Sequence, residues 1–302
     1  MQRLATRLVL TLGVCWTASL RGAELASGSQ ATEGVLRVAT YNIRYASSTP
    51  PHAWPERRPL LRAQLAALDA DIIGTQEGLY SQLRDIAADL PEYDWIGLGR
   101  GGGSRDEFVA VFYRRDRMEP LEYDHFWLSD TPEMIGSNTW GPRFRRMVTW
   151  VTFRDRKTQQ VVAVWNTHFD HEVQVAREKG ARLIRERLSV AGAEHTTAVL
   201  VGDFNAAPTN PIHAQLTAGG FLRDAWDEAP TRDGEGGGTF NGFGEQPDGG
   251  DRIDWILVRG SIVVDAIEIV HPPDEVYPSD HYPVVATLRW STSPGSIKGL
   301  EQ

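Results

Sequence analysis

Short apolar runs that end abruptly in a polar side chain recur along this 302-residue chain, and they constrain its fold more than any other feature. Four runs are rich in β-branched residues, as is typical of buried strands. They cover residues 35–41, 71–76, 161–165 and 198–202, and they are followed by Asn42, Glu77, Asn166 and Asp203. In a layered α/β protein, buried strand ends open onto a cleft. The pattern therefore predicts one site built from several strand ends.

Each polar residue also has a purely structural interpretation. Asn42 would suit a turn, because Asn tolerates left-handed backbone. Glu77 would cap the next helix, His168 would suit a satisfied core position, and Asp203 with Asn205 would form an Asx turn. Taken together this interpretation is the weaker one, because independent turns would not repeatedly select side chains that bind metals and phosphates.

Two further segments complete the polar set. Ser279-Asp280-His281 stands directly before a β-branched run, and Asp254 lies in a strand-like run that begins at Asp251. A strand over 251–258 would place Asp251 and Asp254 on opposite faces, so that only one of them would face the site.

In this order the motifs resemble those of the endonuclease/exonuclease/phosphatase superfamily, the deoxyribonuclease-I-like metal-dependent phosphoesterases. The matching stretches are Tyr41-Asn42-Ile43-Arg44, Thr75-Gln76-Glu77, Asn166-Thr167-His168-Phe169-Asp170, Gly202-Asp203-Phe204-Asn205, Arg252-Ile253-Asp254-Trp255 and Ser279-Asp280-His281. Six ordered motifs make a specific signal, whereas any one of them would be weak. The loops indicate a bacterial secreted branch and not the abasic-site repair enzymes, and no substrate follows from the resemblance.

The resemblance implies an α/β fold in four layers, with two mixed β-sheets packed face to face, helices on the outer faces and the active site at one end. The coarse pattern of the sequence agrees with this. Helices are predicted at about 56–69, 79–90, 172–190 and 209–218. Strands are predicted at about 35–41, 71–76, 93–98, 107–113, 120–127, 146–154, 161–168, 198–203, 251–258, 262–270 and 282–290. So many strands with so few helices argue against a simple doubly wound sheet.

The resemblance also implies roles for single residues. His281 would contact the scissile phosphate and handle the proton, while Asp254 would fix its imidazole. Asp203 would orient or deprotonate the attacking water. Asn205 would donate to a phosphate oxygen, and His168 would stabilise the five-coordinate phosphoryl group.

Glu77 is the best candidate metal ligand, because a lone carboxylate at a strand end suits a hard, partly hydrated Mg²⁺. Asn42 and Asp280 would complete the surroundings of the ion. Mn²⁺ could replace Mg²⁺ on ligand type alone, and no Cys or paired-His cluster suggests Zn²⁺.

Basic and amide side chains are the candidates for substrate binding. Arg44 stands where many relatives have a metal-binding Asp. This substitution argues against a second metal ion at that end of the site. Arg44 would either clamp a phosphate or pair with a nearby carboxylate. Arg143 and Arg145 would share one face of a strand start, with Arg146 on the other face. Asn166 would also contact the substrate.

Both chain ends differ from the predicted catalytic domain, which covers residues 34–291. Residues 1–26 have the pattern of a secretory signal peptide, whose apolar stretch over 8–20 is too short to span a bilayer. An uncleaved anchor is the alternative.

We expect a secreted or periplasmic monomer with no stable membrane span after signal removal and a C-terminal tail over 292–302. The single cysteine, Cys15, lies in the signal segment, so the mature chain would lack disulfides.

The predicted activity is Mg²⁺-dependent hydrolysis of a phosphoester. The substrates, in falling order, are a small, sugar-linked or lipid-linked phosphodiester, then DNA or RNA, then a phosphomonoester. The net charge of −9 counts mildly against nucleic acid. A carbohydrate-active hydrolase using Glu77 and Asp203 would leave the histidines and asparagines without a role. A non-catalytic binding module would not need every catalytic position filled.

Overall fold

The computed structural model describes residues 34–291, apart from 191–196, 235–236, 247, 249 and 273–275. The signal peptide over 1–26 and the tail over 292–302 are predictions that lie outside the described residues.

Strands make up most of the regular structure. They are β1 (Val35–Asn42), β2 (Ile72–Gly78), β3 (Tyr93–Ile96), β4 (Phe108–Arg114), β5 (Met118–Trp127), β6 (Met147–Asp155), β7 (Val161–His168), β8 (Ala198–Asp203), β9 (Arg223–Asp224), β10 (Thr231–Asp233), β11 (Asp254–Arg259), β12 (Ile262–Ile269) and β13 (Val284–Trp290). The α-helices are α1 (Trp54–Leu68), α2 (Tyr80–Asp89), α3 (Gln174–Val190), α4 (Pro211–Thr217) and α5 (Ala225–Glu228).

The strands form two mixed sheets. The larger sheet has the order β10-β12-β13-β1-β2-β4-β3, and the smaller has the order β5-β6-β7-β8-β11-β9. Each sheet contains a central parallel pair, β1 with β2 and β7 with β8. Helices α1 and α2 cover the outer face of the larger sheet, and α3 with α4 cover that of the smaller sheet. The predicted four-layer α/β sandwich is therefore confirmed.

The apolar runs of the sequence arise because both faces of the central strands are covered. All six residues of β8 are buried. Val199 and Val201 pack against the other sheet, whereas Leu200 packs beneath α3 and α4. A strand enclosed on both faces reads as a continuous apolar run and not as an alternating one.

All the predicted strands and helices are present, with ends that differ by a few residues. The short elements β9, α5 and β10 were not predicted, because two to four residues are too few to show a periodic pattern. The predicted strand over 251–258 begins only at Asp254. Alternation along a strand therefore does not decide between Asp251 and Asp254.

The two sheets approach each other closely at Gly74. A Cβ placed on Gly74 would lie 2.5 Å from Cγ2 of Val201 and 2.9 Å from Cγ of Asn166. Next to this contact, Nε2 of Gln76 donates to Oδ1 of Asn166 at 2.7 Å. Both amide side chains are fully buried. A steric contact and a buried hydrogen bond thus fix the spacing of the sheets beneath the site.

We expect Gly74→Ala to lower the free energy of unfolding by about 1–3 kcal/mol, because the added methyl group overpacks the contact between the sheets. Urea denaturation would measure this. Gly34→Ala is the matched control, since no atom lies within 4 Å of its added Cβ. Equal stability of the two variants would contradict the close approach.

Candidate active site

Strand ends from both sheets meet around a cavity of about 580 Å³ at one end of the sandwich. The carboxyl ends of β1, β2, β7 and β8 lie there, together with the amino ends of the antiparallel strands β11 and β13. The predicted residues that line this cavity are Arg44, Glu77, His168, Asp203, Asn205, Asp280 and His281.

His281 and Asp254 form a buried pair. Nδ1 of His281 lies 2.9 Å from Oδ2 of Asp254, and its Nε2 lies 3.8 Å from Oδ2 of Asp203. Burial disfavours the imidazolium, yet the Asp254 and Asp203 carboxylates outweigh it and raise the pKa of His281 to about 10. His281 is therefore charged at neutral pH, and it presents Nε2 as a donor toward the cavity.

Asp203 lies between the two histidines. Its Oδ2 accepts a hydrogen bond from Nδ2 of Asn42 at 3.0 Å, and its Oδ1 accepts one from the backbone N–H of Asn205 at 2.9 Å. Burial and the neighbouring Asp254 carboxylate raise the pKa of Asp203 to about 7. A carboxylate that titrates near neutral pH is suited to accept a proton from a water molecule.

His168 has the opposite charge state to His281. Burial, together with the nearby guanidinium groups of Arg146 and Arg100, lowers the pKa of His168 well below its usual value. Its Nε2 lies 3.4 Å from Oδ2 of Asp203. A neutral imidazole can donate a hydrogen bond without adding charge, so the two histidines can serve different roles.

Glu77 and Asp280 are the carboxylates that fit a metal ion. Nη1 of Arg44 lies 3.7 Å from Oε2 of Glu77 and 3.4 Å from Oδ2 of Asp280, so both carboxylates face one positive charge. Two carboxylates that converge on a shared cation form a donor set that suits Mg²⁺. Of the two alternatives for Arg44, the structure shows the pairing with carboxylates.

Asn42 contacts this set in a different way from the prediction. Its Nδ2 donates to Oε1 of Glu77 at 3.1 Å and also to Asp203, while its Oδ1 accepts from the backbone N–H of Arg44. With the amide in this orientation, Asn42 positions the two carboxylates and does not offer its oxygen to a metal ion.

A second set of possible ligand atoms belongs to Asp203, Asp254 and His281, whose ligand atoms lie within 4.8 Å of one another. The 2.9 Å contact between His281 and Asp254 already uses one atom from each. Glu77 and Asp280 are the better candidates, because both of their carboxylates already converge on one cationic group.

Unusual backbone dihedral angles set the direction of several of these side chains. Arg44, Glu77 and Asn205 have left-handed backbone, with φ of 53°, 66° and 48°. The register of β2 against β4 shifts between Thr75 and Gly78, so Glu77 leaves the regular ladder at the end of its strand. An irregularity of this kind re-aims a side chain next to an active site.

Arg57 is a structural residue of the site that was not predicted. Its side chain is almost fully buried in α1. It donates hydrogen bonds to the backbone carbonyls of Ile43, Arg44, Tyr45, His52 and Pro278. One guanidinium thus ties the loop after β1 to the segment before Asp280. The sequence signal is that Arg57 shares a helix face with Leu61 and Leu65, at spacings of four and eight.

Three predicted substrate-binding residues do not line the cavity. Asn166 lies between the sheets, where its Nδ2 donates to the carbonyls of Thr75 and Ala110. The larger sheet therefore uses both donors of its amide. Arg143 and Arg145 are exposed, and Arg145 pairs with Asp106 on the surface. The expected division holds, since Arg143 and Arg145 are exposed and Arg146 is buried, but the cavity is lined by Arg146 and not by the other two.

Several other side chains line the cavity without having been placed there by the sequence. Among them are Arg100, Glu107, Arg146 and His171. Arg100 pairs with Glu107 at 2.8 Å, and burial raises the pKa of Glu107 to about 7. Asp251 lines the cavity as well, although Asp254 is the partner of His281. The charged segment over 143–146 was a usable signal, but the side of it that lines the cavity is that of Arg146.

The profile of the endonuclease/exonuclease/phosphatase family matches residues 39–281. No match is found among curated proteins. Among the described residues, no helix has the length and apolarity needed to cross a membrane.

Solved structures with the same fold include two bacterial proteins. An endonuclease/exonuclease/phosphatase from Bacteroides vulgatus is 34% identical with a TM-score of 0.80, and the match covers 85% of this chain and 99% of that one. A mannosyl-6-phosphatase from Bacteroides thetaiotaomicron is 33% identical with a TM-score of 0.79, covering 84% and 100%. The human Nocturnin catalytic domain is 17% identical with a TM-score of 0.67, and the match covers 86% of this chain and 94% of that one. At this identity the likeness shows the fold alone.

We expect Asp254→Asn to lower the pKa of His281, because the Asp254 carboxylate stabilises the imidazolium. NMR titration of the histidine side chains in the presence of EDTA would measure this. His125, which bonds Thr149 on β6 and lies outside the cavity lining, is the internal control whose titration should not move. An unchanged His281 titration would contradict the pairing.

We expect Arg57→Lys to weaken metal binding by about 10- to 100-fold, because a lysine cannot hold five carbonyls. The segment before Asp280 would loosen, and so would the loop after β1, which donates to Glu77. Calorimetric titration with Mn²⁺ would measure the affinity. Arg58→Lys is the matched control, since Arg58 pairs with Asp85 and Asp89 away from the cavity. If both variants bound Mn²⁺ equally well, Arg57 would serve the fold only.

Proposed function

Since this chain belongs to the endonuclease/exonuclease/phosphatase family and is a metal-dependent hydrolase of phosphoric esters, we propose that it removes the terminal phosphate from a small sugar phosphate outside the cytoplasm. Mg²⁺ is the proposed metal ion. This places a phosphomonoester first among the substrates, although the sequence alone ranked it last.

The observation that carries this proposal is the pair of buried arginines in the cavity wall. Arg100 and Arg146 are 7% and 5% exposed, and both act on His168 through their charge. A monoester carries up to two negative charges near neutral pH and a diester carries one. Positive charge held in a buried wall therefore favours the monoester.

The size of the cavity supports a small substrate. A volume of about 580 Å³ lies within the range of small-molecule sites. Phe144 and Phe240 line it and offer apolar surface to a sugar ring. The similar mannosyl-6-phosphatase is named for a sugar phosphate. The net charge of −9 agrees with a substrate other than nucleic acid.

The residues divide the hydrolysis among them. Asp203, in its deprotonated form, would accept the proton of the attacking water. His281 would hold positive charge near the phosphoryl oxygens and give its Nε2 proton to the leaving oxygen, with Asp254 fixing its orientation. His168 would donate a neutral hydrogen bond as charge develops on the phosphoryl group, and Asn205 would donate to a phosphate oxygen.

Glu77 and Asp280 would hold the metal ion, and Arg44 would move from its pairing with them. When bound, Mg²⁺ would supply positive charge to the phosphate oxygens. Asn42 would keep Glu77 and Asp203 in place during the reaction.

We expect the purified protein to release phosphate from mannose 6-phosphate, to lose this activity in EDTA and to regain it with Mg²⁺. His281→Ala should lower kcat by about 10²- to 10⁴-fold, as for a group that handles a proton. His125→Ala is the matched control and should leave the rate unchanged. Undiminished phosphate release in excess EDTA would overturn the metal requirement.

A secreted endonuclease is the second candidate, favoured by the family match itself. Plasmid nicking by the same protein preparation separates the two. Nicking that is lost in His281→Ala, without release of phosphate from sugar phosphates, would replace the proposed phosphatase by a nuclease.

Export rests on the N-terminal pattern of residues 1–26. Expression of the full chain in a bacterial host, followed by N-terminal sequencing of the exported protein, tests it. An uncleaved protein retained in the cytoplasm would contradict export.

A further inference from the structure

We propose that Arg146 is the residue that selects a phosphomonoester over a phosphodiester. Its Nη1 would donate a hydrogen bond to the third free phosphate oxygen of the monoester, which in a diester is esterified. This inference rests on the proposed phosphatase function and names the residue that would set its specificity.

Two of the three guanidinium nitrogens of Arg146 are engaged by the protein. Nε lies 3.4 Å from Oδ2 of Asp170, and Nη2 lies 3.0 Å from Nδ1 of His171. Asp170 is itself fixed, because its Oδ1 accepts from the backbone N–H groups of Glu172 and Val173. The guanidinium is therefore held in one orientation before any substrate binds.

The third nitrogen, Nη1, is buried and has no hydrogen-bond partner among the described residues. The Arg146 side chain is only 5% exposed, and the residue lines the cavity. An unpartnered donor of a buried charged group destabilises the protein, because the group has lost its water and gained no partner. The protein retains such a donor beside the catalytic groups, and a ligand oxygen could satisfy it.

The position of Arg146 relative to the catalytic groups makes that ligand a phosphate. The charge of Arg146 depresses the pKa of His168, and Nε2 of His168 lies 3.4 Å from Oδ2 of Asp203. The charge of Arg100 also lowers the pKa of His168. Arg100 is held in place by an ion pair with Glu107 at 2.8 Å. Arg100 and Arg146 line the same cavity as His168 and Asp203, so both arginines belong to the wall of the space where the phosphoryl group would react.

The chemistry of the two substrate classes differs at one oxygen. A monoester has three free phosphoryl oxygens, whereas a diester has two, and its third oxygen is esterified and a poor acceptor. Binding a diester would leave Nη1 unpaired. A site built to hydrogen-bond a substrate group discriminates strongly against an analogue that lacks the group, because the buried partner is left unsatisfied.

The test compares p-nitrophenyl phosphate with methyl p-nitrophenyl phosphate, which share one leaving group. We expect Arg146→Gln to lower kcat/KM for the monoester on the order of 10- to 100-fold more than for the diester. Arg145→Gln is the matched control, since the guanidinium of Arg145 is next in the chain but pairs with Asp106 on the surface. The control should leave the ratio of the two kcat/KM values unchanged.

The outcomes separate this inference from the proposed function. A wild-type protein that cleaves only the diester would overturn the proposed phosphatase. A wild-type monoesterase whose Arg146→Gln variant loses both substrates equally would overturn this inference alone.

If the Arg146→Gln variant fails to fold, a second variant and a measurement on the unmodified protein still test the proposal. Arg146→Lys keeps a cation beside Asp170 but cannot supply the planar set of donors, so it should also lower the ratio. In the unmodified protein, inorganic phosphate should inhibit the monoesterase reaction at least tenfold more strongly than dimethyl phosphate, by the same cost of an unpaired donor. Equal inhibition by the two anions would overturn the proposal.

Discussion

The close contact of the two sheets at one end of the sandwich is the constraint on which the rest of the site depends. Gly74 allows the contact, and the buried bond between Gln76 and Asn166 joins the sheets there. The key catalytic contacts cross this interface. Asn42 at the end of β1 reaches Asp203 on β8, and His281 before β13 reaches Asp254 on β11. A small sliding of one sheet on the other would separate both pairs at once, so the packing beneath the site sets the precision of its chemistry.

Two histidines within one cavity illustrate how environment assigns chemical roles. His281 lies against the carboxylates of Asp254 and Asp203, which raise its pKa to about 10 in spite of burial. His168 is equally buried, but guanidinium groups are among its neighbours, and its pKa falls. The same side chain is therefore a cation in one place and a neutral donor in the other. Asp203 lies between them and titrates near neutrality, which suits it to exchange a proton with water.

The sequence predicted the fold and seven of the residues that line the cavity, because apolar runs that stop at a polar residue report both a buried strand and its open end. Asn166 shows the limit of this pattern: it also follows such a run, yet its amide faces the other sheet, and no local signal distinguishes the two cases. Arg57 and Arg146 could not be assigned from the sequence, since their roles arise from carbonyls and a carboxylate that only the tertiary structure brings together. Arg143 and Arg145 were assigned to the substrate, yet Arg146 lines the cavity, because the sequence of this segment does not show which of its two sides faces the site.

The left-handed backbone at Arg44, Glu77 and Asn205 has a consequence for redesign of this protein. Residues with side chains occupy that region at a cost of order 1 kcal/mol each, and a sequence chosen only to suit the backbone would place glycine at all three positions. The resulting molecule would be a more stable sandwich without the side chains proposed to hold the metal ion and the phosphate. Thermostability screens that ignore turnover would therefore select against the proposed site at these positions.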